Sequence, residues 1–176
     1  MPIETPRPDG SLGPLYIAGA LRKIGIEPDL LDCSVGTPKD DLKDTFYRSV
    51  PLENGLVRIG MSKERIAEEF SRGYDIVCIH SNFTPQTKMV FEVAKIAHTV
   101  LPQAKIITGG VNARNMVERF NRTGLFASIC MYSCQTLPST TAGTDSGKAS
   151  DSIAGPILHP CALTIDPPIR MRVPLL

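Results

Sequence analysis

Two short apolar runs constrain this chain most: Asp75-Ile76-Val77-Cys78-Ile79-His80 and Ala104-Lys105-Ile106-Ile107-Thr108. Neither alternates apolar and polar residues with a period of two. Continuous apolar runs of this length suit strands covered on both faces, as in a parallel sheet. Between them, residues 86–100 place Met89, Val90, Val93, Ala94, Ile96, Ala97 and Val100 at helical spacing, and Pro102 closes the stretch. Strand, helix, strand with this spacing is a βαβ unit, which needs a right-handed crossover.

The flanking segments extend the alternation. Gly13-Pro14 opens a helical pattern that runs to Gly25, with Pro14 in the first turn, where its missing N–H costs nothing. Gly19 sits inside that helix, which implies close packing against it, because Gly there costs about 1 kcal/mol relative to Ala. Residues 26–32 read as a strand and 33–38 as the loop at its end. Residues 39–60 are polar, with a short helix expected over 40–47. Ser62 is placed to cap a helix carrying Ile66, Ala67 and Phe70, which Gly73 ends. A last helix is expected over 112–120. The result is an α/β fold: a Rossmann-like or flavodoxin-like open parallel sheet. The chain begins where a loop after a first strand would stand, so that strand is expected to be missing.

Composition divides the chain at residue 126. The last 50 residues hold 6 charged side chains against 31 in the first 126, and they carry 11 Ser or Thr and 6 Pro. Residues 1–126 are therefore read as the folded domain and 127–176 as an irregular or disordered tail. Prolines at 156, 160, 167, 168 and 174 argue against a central strand anywhere in 153–176. The net charge of +1 argues against a nucleic-acid binder, and no apolar run is long enough to cross a membrane. The first ten residues lack the apolar core of a signal peptide, so a cytoplasmic protein is expected. Five cysteines, odd in number and irregularly spaced, read as free thiols. Cys130 and Cys134 form a C-x3-C pair that lacks the further close ligands a zinc or iron–sulfur site would need.

In an open parallel sheet, ligands bind beyond the C-terminal ends of the strands. Three loops meet that description: 32–37, 81–85 and 109–112. Ser81, Asn82 and Thr84 offer hydrogen-bonding groups, and Gly109-Gly110 lets a ligand lie against backbone. The helix after Thr84 directs its N-terminus at the same rim, which favours an anionic group. No catalytic set accompanies these loops. His80 has no orienting carboxylate by sequence, Cys33 has no paired base, and neither a G-x-G-x-x-G nor a phosphate-loop motif is present.

Three segments, in order, carry a resemblance. Gly13-Pro14-Leu15-Tyr16-Ile17-Ala18-Gly19-Ala20-Leu21-Arg22-Lys23-Ile24-Gly25 is similar to the first helix of the cobalamin-binding domains of B12-dependent radical SAM proteins. Asp75 to Ser81 with Phe83-Thr84-Pro85-Gln86 resembles their strand and Ser/Thr loop. Ile106-Ile107-Thr108-Gly109-Gly110-Val111-Asn112-Ala113 resembles their strand ending in Gly-Gly. The likeness covers residues 10–126. It implies a domain that holds cobalamin base-off with the nucleotide tail at the sheet rim. Ser81 and Thr84 would then bond the tail, Gly109 and Gly110 would make room for its base, and Asn82, Phe83, Val111 and Asn112 would line the slot.

The chain departs from that pattern in three places. The D-x-H-x-x-G signature that supplies a cobalt-ligating His reads Asp32-Cys33-Ser34-Val35-Gly36 here, so no metal ligand is expected. The radical SAM cysteine motif is not met, so no iron–sulfur cluster is expected, nor any independent activity. A radical SAM domain would belong to a parent protein. Both ends are expected to be abnormal: a late start, and a shifted reading frame after Phe126. The other reading is a flavodoxin-like module that binds a different phosphate-bearing small molecule or acts as a regulatory or interaction domain.

Overall fold

The computed structural model describes residues 12–53, 55, 57–130 and 170–175. Its elements in chain order are α1 (Leu12–Lys23), β1 (Pro28–Asp32), β2 (Val50–Pro51), β3 (Val57–Arg58), α2 (Lys63–Phe70) and β4 (Ile76–His80). A 3₁₀ turn (Thr84–Gln86) leads into α3 (Thr87–Val100). Then come β5 (Lys105–Gly109), α4 (Val111–Asn115), α5 (Val117–Asn121), β6 (Ser128–Cys130) and β7 (Met171–Leu175). Strands β1, β7, β4, β5 and β6 form one all-parallel sheet in that spatial order. The α/β open parallel sheet expected from the apolar runs is therefore present. β2 and β3 pair separately as a small antiparallel ribbon.

Burial alternates across the sheet as the pleat requires. Val77 and Ile79 of β4 and Ile106 of β5 face α2 and α3, where they join Ile66, Phe70, Val90, Val93, Ala94 and Ala97 in the main core. Ile76, Met171 and Val173 face the other way and pack with Ile26, Leu21 and Leu30 in a smaller cluster under α1. Ser62 caps α2 as expected, its hydroxyl accepting the Arg65 N–H. Three local expectations need correction. Residues 40–47 form turns rather than a helix. The helix over 112–120 is two short helices, α4 and α5, meeting at Met116. Gly19 has no atom within 4 Å of where a Cβ would stand, so close packing does not explain it.

The largest correction concerns the tail. Residues 171–175 do form a central strand, contrary to the expectation from their prolines. Among the described residues no strand precedes α1, yet the place between β1 and β4 is filled by β7. β7 pairs β1 along its whole length, from Pro28↔Met171 to Asp32↔Leu175. With β4 it pairs only at Ile76↔Met171 and Val77↔Arg172. Pro174 fits this asymmetry. The Arg170 carbonyl accepts from the Asp75 and Ile76 N–H groups of the β4 side at 2.9 and 3.3 Å. By the two-residue alternation of a strand, Pro174 faces the same side, beyond the last β4 pair, where its absent N–H breaks no bond. Strand β6 also lies past residue 126 and pairs β5.

Arg172 explains how a charged residue enters the middle of a sheet. It is 2% exposed. Its Nη2 donates to Glu69 Oε2 at 3.0 Å, and its Nη1 lies 2.8 Å from the Tyr74 hydroxyl and 3.5 Å from Asp29 Oδ2. Glu69 is also held by Arg65 Nη1 at 2.8 Å, and Arg65 reaches Asp40 Oδ1 at 2.7 Å. A buried charge needs such partners, because losing one strands the other.

Candidate functional site

The rim at the C-terminal ends of β4 and β5 gathers most of the sequence-predicted site residues. β4 ends at His80 and β5 at Gly109, which are paired across the two strands. The next residue, Ser81, is fully buried, and its N–H donates to the Gly109 carbonyl at 2.7 Å. Asn112, 2% exposed, enters from the start of α4 and ties the loops together. Its N–H donates to the Ser81 carbonyl at 3.1 Å. Its Nδ2 donates to Ser81 Oγ at 2.8 Å and to Thr87 Oγ1 at 2.9 Å.

Thr87 fixes the orientation of that amide. Its hydroxyl donates to the Thr84 carbonyl at 2.7 Å, so toward Asn112 it can only accept. The nitrogen of the amide must therefore face Thr87. Asn112 Oδ1 is left buried with no hydrogen-bond partner, one of two such side-chain atoms among the described residues. An acceptor stranded in this way costs roughly 1–3 kcal/mol.

Gly110 adopts φ +110°, and a Cβ there would stand 2.4 Å from the Ser81 carbonyl oxygen and 2.7 Å from Asn82 Oδ1. Glycine is required for the two loops to approach. Asn82 Oδ1 accepts the Val111 N–H at 3.3 Å. At Gly109 a Cβ would lie 3.1 Å from the Cys130 Cβ. The structure thus brings Ser81, Asn82, Gly109, Gly110 and Asn112 into one knot. Phe83, Thr84 and Val111 stand on its outer surface, with Phe83 64% exposed. Thr87 belongs to the same network and was not anticipated, although its place at the start of the helix after Thr84 is the signal that could have found it.

The loop after β1 is organised around carboxylates. Asp32 Oδ1 accepts from the Ser34 N–H and hydroxyl at 2.9 and 2.7 Å. Both hydrogen-bonding groups of Ser34 are thus engaged by the one carboxylate oxygen. Gly36 at φ +88° leaves room for Asp40, whose Oδ2 accepts from the Thr37 N–H and hydroxyl. Partial burial raises the Asp40 carboxyl, but Arg65 and Thr37 outweigh it and hold the group at about 2. Burial pushes the Cys33 and Cys78 thiols up to about 12, so both stay neutral and unreactive. Burial also lowers His80, against a hydrogen bond with Asn82.

Among the described residues no cluster of His, Cys, Asp and Glu could hold a metal ion, and no helix is long and apolar enough to cross a membrane. Cys134, His159 and Cys161 lie outside the described residues. A cavity of about 290 Å³ opens at the opposite end of the sheet, beside Glu27, Asp29, Arg72 and Arg170. Within it Arg72 lies 3.9 Å from Asp29, and the Arg170 guanidinium donates to the Arg72 carbonyl at 3.4 Å.

The rim geometry sits beside one finding from known proteins. The chain is 32% identical over 116 residues to cytidylyl-2-hydroxyethylphosphonate methyltransferase of Streptomyces wedmorensis. That match takes in 63% of this chain and 20% of the methyltransferase, so the chain spans about a fifth of that protein's length. No protein-family model and no solved structure matches.

Proposed function

We propose that this chain is a cobalamin-binding module, a fragment of a B12-dependent radical SAM protein of the cytoplasm, holding the corrinoid base-off without a His ligand. The observation that carries the reading is the knot of Ser81, Asn82, Gly110 and Asn112. It joins two of the three segments on which the resemblance rests, at the rim where open parallel sheets bind ligands. The likeness to a methyltransferase supports a place within a larger group-transfer enzyme, and the radical SAM partner domain would belong to that parent.

The residues present fit such a ligand in its tail-side contacts. Asn112 Oδ1 is a buried acceptor in want of a donor. Phe83 and Val111 are exposed apolar groups on the same rim, suited to the flat face of a large ring. A corrinoid would bring cobalt-centred reactivity. This chain's residues would hold and orient it, with Ser34, bonded to Asp32, in place of an imidazole.

The test is retention of hydroxocobalamin through desalting, read in the visible spectrum. Wild type should retain corrinoid absorbance. Phe83→Glu and Val111→Asp change exposed side chains, so both should fold by circular dichroism and lose retention by about tenfold or more, since each sets a charge against an apolar ligand face. A folded wild type that retains nothing would sink the reading and favour a different phosphate-bearing ligand at this rim.

A further inference from the structure

The two faces of the sheet are covered unequally. α2, α3, α4 and α5 all pack on the face of Val77, Ile79 and Ile106, where Phe70, Val90, Ala113 and Phe120 join one core. On the other face the described residues place α1 alone, over β1 and β7, where Leu21 meets Ile26, Met171 and Val173. Parallel sheets are covered on both faces. Neighbouring strands lie about 4.8 Å apart and packed helices about 8–10 Å apart, so a second helix beside α1 would sit two strands on, over β4 and β5.

The side chains at that place form an apolar groove. Cys78 of β4 and Ile107 of β5 border the smaller cluster and are only partly buried. α1 turns one flank toward them, because His80 Nε2 lies 3.6 Å from where a Cβ on Gly13 would stand. Ile17, one turn after Gly13, is on that flank, and Ile24, two turns further, continues it just past the helix end. They are 43% and 67% exposed. Charge marks one end of the groove. Lys105 shares the face of Ile107 by strand alternation and is exposed. Gly13 lies beside the residue that ends β4, so Lys23, at the other end of α1, stands with Lys105 at the edge where β4 and β5 begin. α1, β4 and β5 carry no carboxylate, and among the described residues neither lysine has a carboxylate partner. Glu27, the acid after α1, is held by Arg22 at 2.7 Å. The C-terminal end of a helix is its negative pole, and Asp or Glu in its last turn adds to that charge. We propose that the groove is an interaction site for an amphipathic helix of a partner protein. That helix runs antiparallel to the strands, lays an apolar stripe on Ile17, Cys78 and Ile107, and sets an acidic C-terminal turn against Lys23 and Lys105. This inference is independent of cobalamin binding.

The test uses the full-length chain and a labelled designed helical peptide as long as α3, 14 residues, with a stripe of Leu and Ala and Glu in its last turn. The peptide should bind saturably by fluorescence polarisation. The same peptide with Lys in its last turn should bind about tenfold more weakly. Ile17→Asp changes a side chain on the outer surface, so it should fold by circular dichroism and weaken binding of the Glu peptide by about tenfold or more. Lys105→Glu, also at an exposed position, should abolish the preference between the two peptides. No saturable binding of the Glu peptide, equal binding of both peptides by wild type, or an unchanged affinity in folded Ile17→Asp would each overturn the proposal. A concentration-dependent dimer that Ile17→Asp abolishes would also overturn it, because a second copy would then be the occupant.

Discussion

Strands β4 and β7 lie side by side, and they are kept in the sheet by different forces. β4 is Ile76-Val77-Cys78-Ile79-His80, with Val77 and Ile79 in the main core and Ile76 in the cluster under α1. Burial of its apolar groups is sufficient reason for it to be there. β7 is Met171-Arg172-Val173-Pro174-Leu175, and its second residue is a guanidinium with almost no exposure. That residue is tolerable only because Glu69, Tyr74 and Asp29 converge on it from α2, the loop before β4, and β1. An apolar strand is specified mainly by its own residues. A strand with a buried ion is specified by its partners, and the same partners fix its register: a slip of one residue would bring Met171 or Val173 against Glu69.

The comparison breaks most sharply at Arg172. Arg172→Ala removes the guanidinium on which Glu69, Tyr74 and Asp29 converge and should cost about 3 kcal/mol in urea unfolding. Arg65 keeps part of the charge on Glu69 balanced, so the double variant Arg172→Met with Glu69→Gln should recover most of the loss. A wild-type-like midpoint for Arg172→Ala would mean that β7 does not occupy its place between β1 and β4 in solution. The matched change in β4 is Ile79→Ala. It removes only apolar contacts and should cost about 3 kcal/mol, with no partner variant able to restore it.

The network that holds β7 continues outward, which makes the two strands differ in acid as well. Glu69 binds Arg65, and Arg65 binds Asp40 beside the rim loop. The Asp40 carboxyl lies at about 2 in the folded chain against an ordinary 3.8. Its folded value is depressed, so its contribution is complete above pH 4 and is lost as the pH falls through about 2. At 1.36 kcal/mol per pKa unit this is about 2 kcal/mol. Asp40→Asn should lose about that much at pH 6, and its stability should then change less between pH 4 and pH 2. Urea midpoints across that range measure both. An unchanged acid profile would show that the pairing is not formed.

The same contrast explains what could be read from the residues alone. The apolar runs of β4 and β5 and the stripe of α3 declare their faces locally, and the α/β sheet follows from them. The rim loops follow in turn, because the ends of parallel strands share one edge. Ser81 and Asn112 were legible as residues of the rim loops, but their mutual bond was not, since they lie 31 positions apart. β7 was illegible for a related reason. Arg and Pro in five residues read as a non-strand, and the features that reverse this are the carboxylate of Glu69, 103 positions away, and the early end of the β4 ladder. Local patterns report burial by apolar groups. They cannot report burial that depends on a distant counter-charge.

The smallest expected effect tests the outer layer, where α1 packs on the sheet through few residues. α1 buries only Pro14 and Ala18, and Leu12, Tyr16 and Ile24 are more than 65% exposed. Its residue 19 has nothing within 4 Å of the Cβ direction, and its φ lies outside the left-handed region. An alanine there meets no atom and removes backbone freedom from the unfolded chain, so Gly19→Ala should stabilise the domain by about 0.5–1 kcal/mol. The gain should appear in the urea midpoint without a change in slope. A loss instead would mean that a surface packs against α1 at this position in solution, and that the helix, like β7, is specified by a partner distant in sequence.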